Sequence, residues 1–459
     1  MRIHAIALSA LLLLAPNAFA EGDAQPTPIA AAQANNIIIM IGDGMGPAVT
    51  TGYRYFQDNP DSEEIEETVF DRLLVGMAST YPAHQSGYVT DSAAAATALA
   101  AGVKTYNGAI GLDSDKQPVT SVMRMAQQRG MSIGLAVTSQ INHATPAAYM
   151  AHNEHRRNYA EIMETYVESP ADVMLGGGRN YFTPGMLATL KNKGFAHITE
   201  YSKLDDVASP PVLGLFGDVS LPRSIDDTNP ERLSLLTEHA LRLLGQNPNG
   251  FLLLVEGSQI DWAGHARDIH GVMSETKDFA YAIEVVEQFV RLYPNSTMVV
   301  TADHGTGGLT LAKSREYLWQ PQVLHNLTAS LDTIAKISMN NPGWEAEIGD
   351  KLGFGLTQDE WQALSKAQQM DRDTGEPKQF TKALKALLDT RTNTGWTTSG
   401  HTAVDVPVMA KGRGAELFIG YQDNTEIATK LMSLLPKQEN TAGQQAHTEY
   451  SASKRIAVN

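Results

Sequence analysis

Carboxylates and imidazoles stand at the ends of apolar runs throughout this chain. Asp43 follows Asn36–Ile41 in Ile41-Gly42-Asp43-Gly44-Met45-Gly46. Glu256 closes the run Phe251–Val255, with Asp261 and His265 just beyond it, and Asp303-His304 follows Thr297–Val300. If those runs are parallel strands, their carboxyl ends form the ligand crevice of an open α/β sheet, and the acidic and imidazole groups gather there as a metal cluster. Asp261 and His265 are four residues apart, so on a helical turn they share one face and can share a divalent ion. Taken singly, each has a plainer role, since an Asp after a strand often caps a helix and a lone His is often a core residue. Only their joint placement points to metal. The nucleophile candidate is Ser92 in Thr90-Asp91-Ser92-Ala93. Asp91 can cap the helix that the following alanines propagate, leaving the Ser92 hydroxyl at a helix N-terminus that favours a phosphoryl group. Ser92 could equally be a second capping residue. No nearby motif supplies it with a base, so activation would have to come from a coordinated zinc.

The elements that position these groups follow from periodicity. Runs 36–41, 133–137, 172–175, 251–255 and 297–300 are continuous and rich in Ile, Val and Leu, as buried parallel strands are. Stretches 119–129, 183–193, 230–244 and 272–292 have helical periodicity. The alternation predicts an α/β fold, a doubly wound and mostly parallel sheet with helices on both faces. Residues 315–396 interrupt the rhythm with helix-like stretches and carry Trp319, Trp344, Trp361 and Trp396. They are expected to form a helical subdomain inserted within one catalytic domain over 21–459, because no Pro/Gly/Ser-rich linker isolates them. Gly176-Gly177-Gly178 is a weak phosphate-loop signal and a common turn.

Residues 1–20 have a basic start, an apolar centre and a small-residue end, Ala18-Phe19-Ala20. This order predicts a cleaved signal peptide and a periplasmic or secreted protein. The apolar centre, about a dozen residues, falls short of the roughly 20 that span a bilayer, and no other run reaches that length. A net charge of -16 would repel nucleic acid. Cysteine is absent, so stability must come from the core and bound metals.

Beyond these readings, the ordered set Asp43-Gly44-Met45-Gly46, Thr90-Asp91-Ser92-Ala93, Gly102 through Gly108, Ala144-Thr145-Pro146-Ala147, Glu256 through Asp261 and His265, Thr301-Ala302-Asp303-His304 and Gly400-His401-Thr402 resembles the alkaline phosphatase family. The resemblance implies a hydrolase of a broad range of phosphate monoesters that works through a phosphorylated Ser92. It implies two zinc ions and one magnesium ion per chain, and a homodimer. One zinc would be held by Asp261, His265 and His401, the other by Asp43, Asp303 and His304 with Ser92 as exchangeable partner. The magnesium would sit on Asp43, Thr145 and Glu256, an all-oxygen shell that suits a hard ion. Arg156, at the family's distance from Ala144-Thr145-Pro146, would clamp the phosphate, with Asp91 and Trp262 also at the substrate.

Two positions depart from the enteric version of the family, which has acidic and lysine side chains where this sequence has His143 and Trp262; marine bacterial versions share the tryptophan. His143 therefore brings an imidazole near the magnesium site. Within the superfamily, a phosphodiesterase would lack the Thr145–Glu256 pair and the Arg156 clamp. A non-catalytic zinc or phosphate binder would have no use for Ser92.

Overall fold

The run Asn-Ile-Ile-Ile-Met-Ile-Gly forms strand β1 (Asn36–Gly42), with Ile37 through Ile41 at most 1% exposed. Successive side chains of a strand point to opposite faces, so both faces of β1 are covered, as continuous apolar composition requires. The computed structural model describes residues 35–340 and 343–437; the leader expected over 1–20 lies outside them. The remaining strands are β2 (Leu74–Ser79), β3 (Ser132–Gln140), β4 (Val173–Gly177), β5 (Ala196–Ile198), β6 (Val212–Leu215), β7 (Phe251–Gly257), β8 (Ser296–Ala302), β9 (Gly305–Thr306), β10 (Leu309–Leu311), β11 (Thr394–Trp396), β12 (His401–Thr402), β13 (Val406–Gly412) and β14 (Gly420–Asp423). Ten of these build one sheet in the order β14-β2-β13-β8-β1-β7-β3-β4-β6-β5. Within it, β13 alone runs antiparallel to its neighbours. No helix among the described residues is long and apolar enough to cross a membrane.

Four adjacent parallel strands, β8, β1, β7 and β3, set the position of the chemistry. Gly42 lies opposite both Gly257 and Ala302, and Glu256 lies beside Ile41 and Val137. The residues that follow therefore leave the sheet at one level and on one edge. Helices Arg232–Leu244 and Ile269–Leu292 pack on these strands and on each other. Ser92 begins the helix Ser92–Ala101, whose Asp91 cap accepts from Ala94 N and whose end is Gly102 at φ 73°. Alanine is the best helix former, and its small side chain lets this fully buried helix pack closely on the helices Ala144–Met150 and Asn424–Leu434.

Residues between β10 and β11, which pair as an antiparallel ribbon, contain the helices Leu331–Asn340, Trp344–Leu352, Gln358–Arg372 and Lys378–Thr392. Trp344 meets Phe380 edge-on at 5.3 Å and Trp361 at 6.1 Å between ring centres. The apolar residues of this segment are continuous with the main core. A second short ribbon, β9 with β12, sets His401 opposite Thr306.

Candidate active site

Asp43, Asp303 and His304 leave the ends of β1 and β8 and are fully buried, and Glu256, in β7, is fully buried too. Asp261 and His265 lie on the helix Gln259–Ala266, and His401 reaches them from β12. Hydrogen bonds determine where each imidazole proton lies. His401 donates from Nδ1 to the Thr90 carbonyl at 2.8 Å, and His265 donates from Nδ1 to the Ser399 carbonyl at 2.6 Å. Their Nε2 lone pairs are left facing each other at 3.1 Å, with Asp261 Oδ2 3.3 Å from His265 and Asp261 Oδ1 3.7 Å from His401. Three acceptors that converge without a proton between them repel one another unless a cation sits among them, which is how a metal-binding histidine set is ordinarily oriented.

Thr306 donates its hydroxyl proton to Asp261 Oδ1 at 2.6 Å, so its oxygen accepts from His304 Nδ1 at 3.2 Å. His304 Nε2 is thereby bare, and it lies 3.1 Å from Ser92 Oγ, 3.2 Å from Asp303 Oδ2 and 3.5 Å from Asp43 Oδ1. Asp303 Oδ1 is used by the backbone N–H groups of Gly44 and His304. Gly44 can only be glycine: its φ is +71°, and a Cβ there would lie 2.8 Å from the Asp261 backbone.

A third group of donors lies beside these. Ligand atoms of Asp43, His143 and Glu256 fall within 4.8 Å of one another. Both oxygens of Asp43, Oδ2 of Asp303, Oε1 of Glu256, Oγ1 of Thr145 and Nδ1 of His143 are buried with no hydrogen-bond partner. Orphaned buried polar atoms cost folding free energy, and the five oxygens among these fit metal ions; His143 Nδ1 carries the ring proton, because Nε2 of this ring accepts from Arg156. The electrostatics agree. Burial, then Asp303, Asp261 and Glu256, holds Asp43 well above the usual carboxylate range, and burial pushes Glu256 up to about 7. Burial and the Arg156 guanidinium push His143 down to about 3, so its imidazole is neutral.

Arg156 donates from Nη1 to Asp91 Oδ2 at 3.1 Å and from Nη2 to His143 Nε2 at 3.4 Å, and its backbone N–H bonds Gly108 O. These groups open into a cavity of about 590 Å³ lined by Asp91, Ser92, Arg156, Trp262, His265 and His401, among others.

The alkaline phosphatase family model matches residues 34–436, nearly the whole described chain. This chain belongs to the alkaline phosphatase family. It is 38% identical over 453 residues to alkaline phosphatase 4 of Bacillus subtilis, covering 95% of this chain and 97% of that one. The cold-active alkaline phosphatase of a psychrophilic Shewanella superposes with a TM-score of 0.85 at 56% identity, over 88% of this chain and all of that one. The alkaline phosphatase of the Antarctic bacterium TAB5 superposes at 0.66 with 28% identity, over 89% of this chain and all of that one. The protein is therefore a phosphatase that acts on phosphate monoesters, from a metal-dependent family.

Of the residues that the sequence singled out, Asp91, Ser92, His143, Arg156, Asp261, Trp262, His265 and His401 line this cavity, and Asp43, Thr145, Glu256, Asp303 and His304 are fully buried. Three further groups support them. Thr306 ties Asp261 to His304. Asn107 accepts from Asp91 N and donates to Val89 O, spanning the residue whose carbonyl orients His401. Ser139 donates to Glu256 Oε2 at 3.5 Å. Asn107 falls within the Gly102–Gly108 motif, where only its motif membership signalled it. Thr306 carried no signal at all.

Proposed function

We propose that the enzyme hydrolyses monoesters by transferring the phosphoryl group to Ser92, with zinc on Asp261, His265 and His401, zinc on Asp43, Asp303 and His304, and magnesium on Asp43, Thr145 and Glu256. The observation that carries this reading is the gathering of unpartnered carboxylate oxygens of Asp43 and Asp303 around the bare His304 Nε2, which lies 3.1 Å from Ser92 Oγ. Bound ions of this kind supply positive charge that acidifies the serine hydroxyl and stabilises the leaving oxygen. Ser92 Oγ, at the N-terminus of its helix, attacks phosphorus in line as the ester oxygen departs, and water then cleaves the Ser92 Oγ–P bond. Arg156, already aligned by Asp91, forks onto two non-bridging oxygens, a geometry that a guanidinium provides and an ammonium does not. A monoester offers one more charged oxygen to that fork than a diester, which favours monoesters.

Structures of TAB5 alkaline phosphatase variants, with a histidine replaced by aspartate or by glutamate, have magnesium bound in that enzyme's M3 site, and this supports a magnesium position here. Export through the 1–20 leader and assembly as a homodimer complete the proposal; the N-terminal mass of the exported chain and light scattering test them. The main test is a rate comparison on a chromogenic monoester, diester and sulfate ester, with and without chelator. The monoester should dominate and lose its rate on chelation, with zinc and magnesium restoring it. A diester rate equal to the monoester rate, or indifference to chelation, refutes the proposal.

A further inference from the structure

The mouth of the catalytic cavity carries hydrogen-bond donors that the reaction at Ser92 does not use. Arg156, held by Asp91 and His143, is assigned to the transferred phosphoryl, but its neighbour Arg157 lines the same cavity, is exposed, and its guanidinium makes no hydrogen bond or ion pair among the described residues. His155 accepts the Arg157 backbone N–H at Nδ1, 3.2 Å away, so its ring proton is on Nε2. That edge of the ring lies over Gly108, where a Cβ would come within 3.6 Å of Nε2, and both residues line the cavity. The Trp262 indole N–H, on the opposite helix, also has no acceptor among the described residues. The nearest acidic residue in sequence, Glu154, is drawn off by Lys116 at 2.7 Å and leaves Arg157 unneutralised.

A chain of net charge -16 thus presents an uncompensated guanidinium and two free N–H donors in the wall of the cavity that also contains Ser92. Groups of this kind recognise an anion on the part of the substrate that leaves. We propose that Arg157, with His155 and Trp262, forms a second anion subsite, and that the enzyme favours phosphate monoesters whose alcohol portion bears a further phosphate. This inference rests on the monoesterase reading above. Arg157 is a specificity-determining residue in it and takes no part in P–O cleavage.

The test compares kcat/KM for 1,3-propanediol bisphosphate and propyl phosphate in the metal-loaded enzyme at low ionic strength. The wild type should prefer the bisphosphate by more than the statistical factor of about two, and added salt should erode the excess. Arg157→Gln should lower the preference about two- to fivefold, the range expected for one exposed charge contact. Arg157→Lys should retain much of it, and both variants should keep the propyl phosphate rate. An unchanged preference in Arg157→Gln overturns the subsite, and so does an equal loss on both substrates, which would place Arg157 at the transferred phosphoryl. Failure of the wild type to hydrolyse propyl phosphate at all would instead refute the monoesterase reading.

Discussion

Replacing His143 by aspartate should convert the third group of donors into a tight magnesium site. The imidazole is 7% exposed, its Nδ1 has no partner, and a ligand atom of its ring lies within 4.8 Å of Asp43 and Glu256. Its pKa of about 3 means that it brings no charge at neutral pH. A carboxylate there adds a unit negative charge. At about 5 Å and an effective dielectric near 20, its gross attraction for a divalent cation is roughly 6 kcal/mol. Desolvating a third carboxylate beside Asp43 and Glu256 takes back several kcal/mol. The remainder, roughly 1.5–3 kcal/mol, corresponds to about ten- to hundredfold tighter magnesium binding. Two readouts check it: calorimetric titration of the stripped variant with magnesium, and thermal unfolding with and without the ion. The variant should be less stable than the wild type when stripped, because three carboxylates then face one another, and should gain more on adding magnesium. An unchanged magnesium affinity in a folded variant would refute the placement of His143 beside that ion.

Other outcomes follow from the same geometry. Ser92→Ala should lower turnover by roughly four to six orders of magnitude and leave no phosphoprotein after acid quench. Arg156→Ala should weaken phosphate inhibition and monoester turnover while sparing diester hydrolysis; an equal loss on both, by steady-state kinetics, would contradict its role as the clamp. Excess zinc should inhibit and magnesium should restore activity, because the His143 imidazole favours zinc at the third position once its proton moves to Nε2 and Arg156 is released; metal content measured alongside rate checks this, and two zinc ions per chain with unaltered activity would exclude it. On the helix Gln358–Arg372, hydrogen bonds from Arg391 hold Glu360 down to about 2. A depressed carboxylate contributes stability that is complete above its unfolded value, near 4.5, and is lost as pH falls through about 2. Glu360→Gln should therefore lower urea stability by at most about 1 kcal/mol at pH 7, since the pair is partly exposed, and the difference should shrink between pH 4.5 and 2.

The strands that carry the site were legible because they are buried on both faces. Ile37–Ile41, Leu252–Val255 and Thr297–Val300 are unbroken apolar runs with few alternatives to a central parallel strand. β2, β5, β6, β13 and β14 were not legible. β2 has Gly76 at its middle, β13 carries Pro407, β5 spans three residues, and β14 is Gly-Tyr-Gln-Asp at the sheet edge. Each owes its strand character to a distant partner. The site divides in the same way. Carboxylates and imidazoles announce themselves by residue type, whereas Thr306 gains its role only from the register that sets it against His401. Arg156 and Arg157 are indistinguishable by composition. The fold separates them, by binding the Arg156 backbone to Gly108 and its side chain to Asp91.

The ligand groups are drawn from both ends of the chain, since β1 is flanked by β7 and β8, more than 200 residues downstream, and His401 arrives later still. Such long-range pairings form slowly, and on the proposed assignment no fragment that ends before Glu256 holds a complete ligand set. A growing chain that still lacks His401 has only part of the wall around Ser92. The cavity around Ser92 is complete only once His401 has arrived, so its formation reports that nearly all of the chain has folded.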